Sequence, residues 1–161
     1  MAPQIWLLRH GEAVPHESKA DDDRELTARG ERQAAAAGEG LARLGTEFSA
    51  CYTSPKVRAR DTARLACQAL NIEPEEVEAL GGGFDRDAAL ELLHAHGEDA
   101  RVLVVGHEPD FSQVVHDLTG GRVDFKKGGV AAVRLARGSG ELLLLLRPRE
   151  LESLALSGDP G

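Results

Sequence analysis

Only two cysteines, one methionine, one tryptophan and one tyrosine occur in the 161 residues of this chain, too few sulfur ligands for a disulfide scaffold or a cysteine-rich metal knuckle. Cys51 and Cys67 form no CxxC pair and both lie in apolar or helical patterns, so buried, reduced thiols are expected, as in a cytoplasmic protein. Long apolar runs are missing as well. The leucine run Leu142 to Leu146 is far shorter than a bilayer span, and the apolar start Ile5 to Leu8 has no basic segment before it, so neither a membrane anchor nor a secretion signal is expected. Positive charge is scarce: 19 Lys and Arg face 27 Asp and Glu, giving a net charge of −8. General attraction to nucleic acid or to an anionic membrane is therefore excluded, and any anion must be met by a local cationic pocket.

What remains is enough for one domain over residues 1–161, with a single sizeable core. Strands are predicted at Gln4 to Arg9, Ala50 to Thr53, Arg101 to Gly106, Val130 to Leu135 and Glu141 to Arg147, with a weaker one near Val77. Helical spacing of Ala34, Ala37, Leu41 and Leu44 predicts a helix capped by Thr27. A second helix should start at Ser54-Pro55 and end near Leu70 with Asn71 as its stop, a third should cover Asp85 to His96, and a fourth Asp110 to Leu118, closed by Gly120-Gly121. Strands alternating with helices predict an α/β fold with a mostly parallel sheet covered on both faces. Gly138-Ser139-Gly140 would turn the last two strands into a hairpin, with Leu142 to Leu146 as a buried strand. His16 to Arg24 reads as a polar, acidic loop and Ser157 to Gly161 as a loose tail.

In an open α/β sheet, ligands gather beyond the carboxyl ends of the strands. Three such ends carry suitable chemistry. The first strand delivers Arg9-His10-Gly11, the second leads through Ser54-Pro55 to Arg58, and the Val102 to Val105 strand leads into Gly106-His107-Glu108-Pro109. Arginine presents a planar fork of donors to phosphate oxygens, a neutral imidazole can attack phosphorus, and glycine lets backbone approach a ligand.

These segments, with Leu26-Thr27, Gly30 and Gln33 between the first two and Ala59, Thr62 and Ala63 after Arg58, resemble in order and spacing the motifs of the histidine phosphatase superfamily. The resemblance spans Ile5 to Leu135. Lacking the long insertion that mutases of the superfamily carry, the chain is most similar to the short SixA-type phosphohistidine phosphatases. The resemblance implies a phosphoglycerate mutase-like three-layer sandwich, no cofactor and no metal. It further implies that His10 takes a phosphoryl group and that Arg9, Arg58, His107 and Gly11 bind it, the substrate being phosphohistidine on a protein. A small phosphorylated molecule hydrolysed by a phosphomonoesterase, and a phosphate-recognising module with little turnover, are the competing readings.

Larger members of the superfamily protonate the leaving group with a carboxyl from mid-chain, and here Asp85, Glu78, Glu12 and Glu108 are the candidates, Asp85 reading more simply as a helix cap. A phosphoramidate can accept its proton on nitrogen from a weaker donor, so a missing acid favours P–N over P–O substrates. Arg60, two positions from Arg58, falls on another helix face and should meet solvent or a carboxylate. His94 and His96 read as helix-end residues rather than metal ligands, and His16 and His116 as bystanders. Lys126-Lys127 reads as a solvated pair that would attract an acidic substrate if it lined a rim.

Overall fold

The computed structural model describes residues 2–157. Six strands, β1 (Gln4–Arg9), β2 (Ala50–Thr53), β3 (Pro74–Glu76), β4 (Arg101–Gly106), β5 (Val130–Ala136) and β6 (Ser139–Leu146), form one sheet in the order β3-β2-β4-β1-β5-β6. The first four strands run parallel; β5 pairs antiparallel with β1, and β6 antiparallel with β5. Among the described residues, five α-helices cover it: α1 (Ala28–Arg43), α2 (Val57–Leu70), α3 (Arg86–His94), α4 (Asp110–Thr119) and α5 (Pro148–Leu156).

Side-chain alternation along the central strands explains the three layers. Ile5, Leu7, Val102 and Val104 point to the face covered by α3 and α4, where they pack with Leu93, Phe111 and Val115. Trp6, Leu8, Leu103 and Val105 point to the opposite face, where they meet Leu41 of α1, Ala63 of α2 and Leu151 of α5. Strands buried on both faces are apolar throughout, which is why β1 and β4 read as short unbroken apolar runs. The small residues of α1 serve close packing: a Cβ at Gly38 would lie 2.2 Å from the carbonyl oxygen of Ala66 in α2.

The helix signals hold where local chemistry decides them. Thr27 accepts the amide of Gly30, Asp85 accepts that of Ala88, and Asn71 and Gly120 close α2 and α4 in the left-handed conformation. Several readings need correction. The hairpin turns on Arg137 and Gly138, both at positive φ, so Ser139 and Gly140 already belong to β6. Because β6 is an edge strand with one neighbour, Leu142, Leu143 and Leu145 are 36–38% exposed rather than buried. The sequence reading missed α5, whose start combines Pro148 with an amide of Arg147 held by Glu150. Of the expected tail, Ser157 caps α5, and residues 158–161 lie outside the described residues.

Candidate active site

The carboxyl ends of β1, β4 and β2 lie side by side, and each passes directly to a polar side chain. The His10 amide donates to the carbonyl of Gly106 and the Ser54 amide to that of Val105, both at 3.0 Å, which extends the parallel ladder and brings His10, His107 and Ser54 to one end of the sheet. All three are buried, as is Arg58 on the first turn of α2. The rings of His10 and His107 have centroids 5.1 Å apart, tilted by 56°.

Hydrogen bonding fixes the role of the His10 ring. His10 Nδ1 lies 2.7 Å from the carbonyl oxygen of Gly11. A carbonyl only accepts, so Nδ1 carries the proton and Nε2 keeps its lone pair. Ser54 Oγ accepts the Lys56 amide at 3.1 Å and sits 2.7 Å from Nε2 of His107. A serine hydroxyl both donates and accepts; in the tautomer where it donates to Nε2, Nδ1 is the N–H of a neutral His107. Burial, with repulsion from His107, Arg58 and Arg9, pushes the His10 pKa down to about 3, overriding the Gly11 carbonyl that favours the charged form. Burial, with Arg58 and Lys56 nearby, likewise lowers that of His107 to about 4.

These shifts carry a stability consequence. Between pH 6.5 and about 4 the unfolded chain takes up protons at both histidines while the folded one does not, so stability falls as pH falls through that window and is fully present above it. With a loss of a few kcal/mol, the Tm is expected to drop by on the order of 10 °C between pH 7 and 4.5. Thermal melts of the protein and of a His10→Gln/His107→Gln variant check this: the variant should show a markedly flatter profile, and equal slopes would refute it.

Three buried side-chain atoms have no hydrogen-bond partner among the described residues: Nε of Arg9, Nε of Arg58 and Nδ1 of His107. The two arginine atoms are N–H donors, and Nδ1 of His107 is a third in the tautomer whose Nε2 accepts from Ser54. An unsatisfied buried donor costs about 1–3 kcal/mol, so each of these atoms is open to an acceptor that the polypeptide does not supply.

A sequence profile of the histidine phosphatase superfamily (branch 1) matches residues 5–81. An uncharacterised protein of Picosynechococcus sp. is 32% identical over 92% of this chain and 98% of its own length. The chain belongs to the histidine phosphatase superfamily. Among solved structures, that of the protein histidine phosphatase SixA complexed with tungstate superposes with a TM-score of 0.81 and 28% identity, covering 92% of this chain and 99% of that one. A phosphoglycerate mutase from Bacillus anthracis shares the fold with a TM-score of 0.73 at 15% identity over 95% and 96% of the two chains.

Within this superfamily member, Gly11 departs from expectation. Its amide donates to Thr62 Oγ1 and its carbonyl holds His10, so neither backbone group is left for a ligand. Its small size serves packing instead, because a Cβ there would lie 2.6 Å from the carbonyl oxygen of Gly30. Ser54 also departs from expectation: α2 begins at Val57, and the serine holds His107 rather than capping the helix.

The acid candidates separate by their partners. Asp85 is engaged as the cap of α3, and Glu78 is exposed in a short 3-10 turn. Glu12 accepts from Thr27 Oγ1 and pairs with Arg29 at 3.5 Å. Glu108 accepts the Ser112 amide at 2.7 Å and lies close enough to raise the pKa of Arg9 against the lowering by burial.

Sequence reasoning missed Asp21. The loop containing it folds over α2, where its carbonyl accepts Arg58 Nη1 at 2.7 Å and its carboxylate meets Arg58 Nη2 at 3.3 Å and Lys56 Nζ at 3.0 Å. Buried Arg24 ties down the same carboxylate at 3.0 Å. Lys56 first, then Arg24 and Arg58, hold the Asp21 carboxyl far below the ordinary range, so it stays ionised and orients the Arg58 fork. The only sequence signal is the acidic run Asp21 to Asp23. Of the remaining histidines, His16 reaches the same Asp21 carboxylate at 3.9 Å, whereas His96 pairs with Tyr52 and His116 faces the Gly121 carbonyl; Arg60 meets Glu76 at 3.8 Å.

Proposed function

We propose that the chain is a phosphatase that works through a phosphohistidine on His10 and removes phosphate from phosphohistidine in proteins. A buried imidazole with a free Nε2, close enough to Arg9, Arg58 and His107 to feel their charge, together with the unpartnered buried nitrogens of those three residues, carries this reading. In the first step Nε2 attacks phosphorus, an N–P bond forms, and the bond from phosphorus to the leaving nitrogen breaks. That nitrogen takes a proton from solvent or from a nearby carboxyl. Arg9, Arg58 and His107 hold the three equatorial oxygens, over which the transition state spreads its charge. Water then attacks the phosphorus of phosphorylated His10, releasing phosphate and restoring the free ring.

The depressed pKa of His10 suits a nucleophile, since the ring is unprotonated at neutral pH without an assisting base. A protein substrate is favoured by the likeness to SixA, a protein histidine phosphatase, and by the lack of a large insertion that could close over a small molecule. A cytoplasmic location is part of the same proposal, in keeping with two free, buried cysteines; among the described residues no helix is long and apolar enough to cross a membrane.

The deciding measurement is kcat/KM on a phosphohistidine peptide, the same peptide carrying phosphoserine, and a small aryl phosphate. Phosphohistidine should be preferred over phosphoserine by at least roughly tenfold, since a serine alkoxide needs a stronger acid to leave than imidazole does, while the aryl phosphate, whose leaving group needs none, gauges turnover independent of an acid. Equal turnover of all three would favour the general phosphomonoesterase, and phosphate binding without turnover would favour the recognition module.

A further inference from the structure

Beside the candidate site lies an open groove of about 560 Å³ whose wall includes Arg9, Arg29, Lys126, Lys127, Arg147 and Arg149. In a chain with a net charge of −8, six cationic side chains on one groove are a marked local reversal. Three carboxylates share the wall, Glu12, Asp124 and Glu152; the first pairs with Arg29 at 3.5 Å and the second with Lys126 at 2.9 Å. Arg147 and Arg149 meet Glu150 at 2.9 and 3.7 Å. Lys127 forms no ion pair among the described residues, and the six cations outnumber the three carboxylates of the wall together with Glu150, so positive charge is left over.

The groove is joined to the site by backbone. Arg9 Nη1 donates to the carbonyl of Phe125 at 2.7 Å, and the Gly128 amide sits 3.0 Å from the carbonyls of both Arg9 and His10. Gly128 packs against Gln33 of α1 and Pro148 of α5, so the 124–128 segment is fixed between the reacting end of β1 and the two helices that carry the outer cations. Arg9 belongs to both places, with its Nε unpartnered and its side chain in the groove wall.

We infer that this groove receives an acidic stretch of polypeptide flanking the phosphorylated residue of the substrate. The inference rests on the protein-phosphohistidine reading above and adds the sequence context of the substrate. A second phosphate on a small molecule would require convergent, buried donors. Here the outer cations are long arms, with side chains 68% exposed for Arg29, 56% for Lys126, 54% for Arg147 and 77% for Arg149, contributed by separate segments. Dispersed, solvated charges of this kind steer and loosely hold several carboxylates, acting on association and on KM more than on the chemical step.

The test compares two phosphohistidine peptides, with aspartate and glutamate or with serine and asparagine on either side, together with free phosphohistidine. The wild-type protein should prefer the acidic peptide about five- to twentyfold in kcat/KM, through KM, with the preference shrinking as salt rises. A Lys127→Glu/Arg149→Glu variant should lose the preference while free phosphohistidine is turned over as before, and Lys127→Arg/Arg149→Lys should keep it. Equal use of both peptides by the wild type, a preference indifferent to salt, or one that survives charge reversal overturns the groove assignment and leaves the phosphatase reading standing. If no phosphohistidine is hydrolysed, the phosphatase reading fails. The groove is then judged by fluorescence anisotropy of the labelled acidic peptide, whose affinity must fall on charge reversal or the assignment fails too.

Discussion

Replacing His10 with asparagine is expected to abolish phosphate release, by about 10⁴-fold or more, the scale on which removal of a covalent nucleophile acts. Asparagine can keep a hydrogen bond to the Gly11 carbonyl but has no nucleophilic lone pair at the position of Nε2. The fold should survive, because the cores beneath the site are formed by other side chains. Brief incubation of the wild-type protein with a labelled phosphodonor, followed by alkaline quench and peptide mass spectrometry, should place a base-stable, acid-labile phosphate on His10 that decays on a chase. Turnover retained by the folded variant, or a phosphate found on another residue, would remove the proposed nucleophile.

The second large effect is expected at Arg58. Arg58→Ala should lower kcat by roughly 10²- to 10³-fold, as for loss of a donor aimed at developing charge. Arg58→Lys should restore little of it. Lysine keeps the charge but cannot present a planar fork that bonds the Asp21 carbonyl and carboxylate with its Nη atoms while offering Nε inward. Rapid-quench measurement of the phosphorylation step tests this, since a defect confined to KM, or full rescue by lysine, would show that Arg58 supplies only general attraction. Asp21→Asn gives the companion case: it removes the charge that orients the fork while leaving the carbonyl contact.

Most of the fold was legible because its signals are local. β1, β2 and β4 are apolar runs of strand length, and Thr27, Asp85, Asn71 and Gly120 announce helix boundaries by side-chain or backbone chemistry within a few residues. Likewise His10, Arg58 and His107 follow strand ends or helix starts, where α/β sheets collect ligands. What escaped the sequence depends on distant partners. Asp21 acquires its role by meeting Arg58 across 37 positions, and Ser54 by meeting His107 across 53. The exposure of Leu142, Leu143 and Leu145 follows from β6 being last in the sheet, a fact of topology that composition does not encode.

Because β2, β4 and β1 are neighbouring inner strands, with β3 and β5 outside them, the proposed anion site is anchored in the middle of the sheet. Fraying of β6 or of a terminus leaves it intact, whereas taking it apart means parting the middle of the sheet. Inorganic phosphate, the product under the proposed function, should then slow amide hydrogen exchange across both helical layers, each decade of concentration above its dissociation constant adding about 1.4 kcal/mol to global stability.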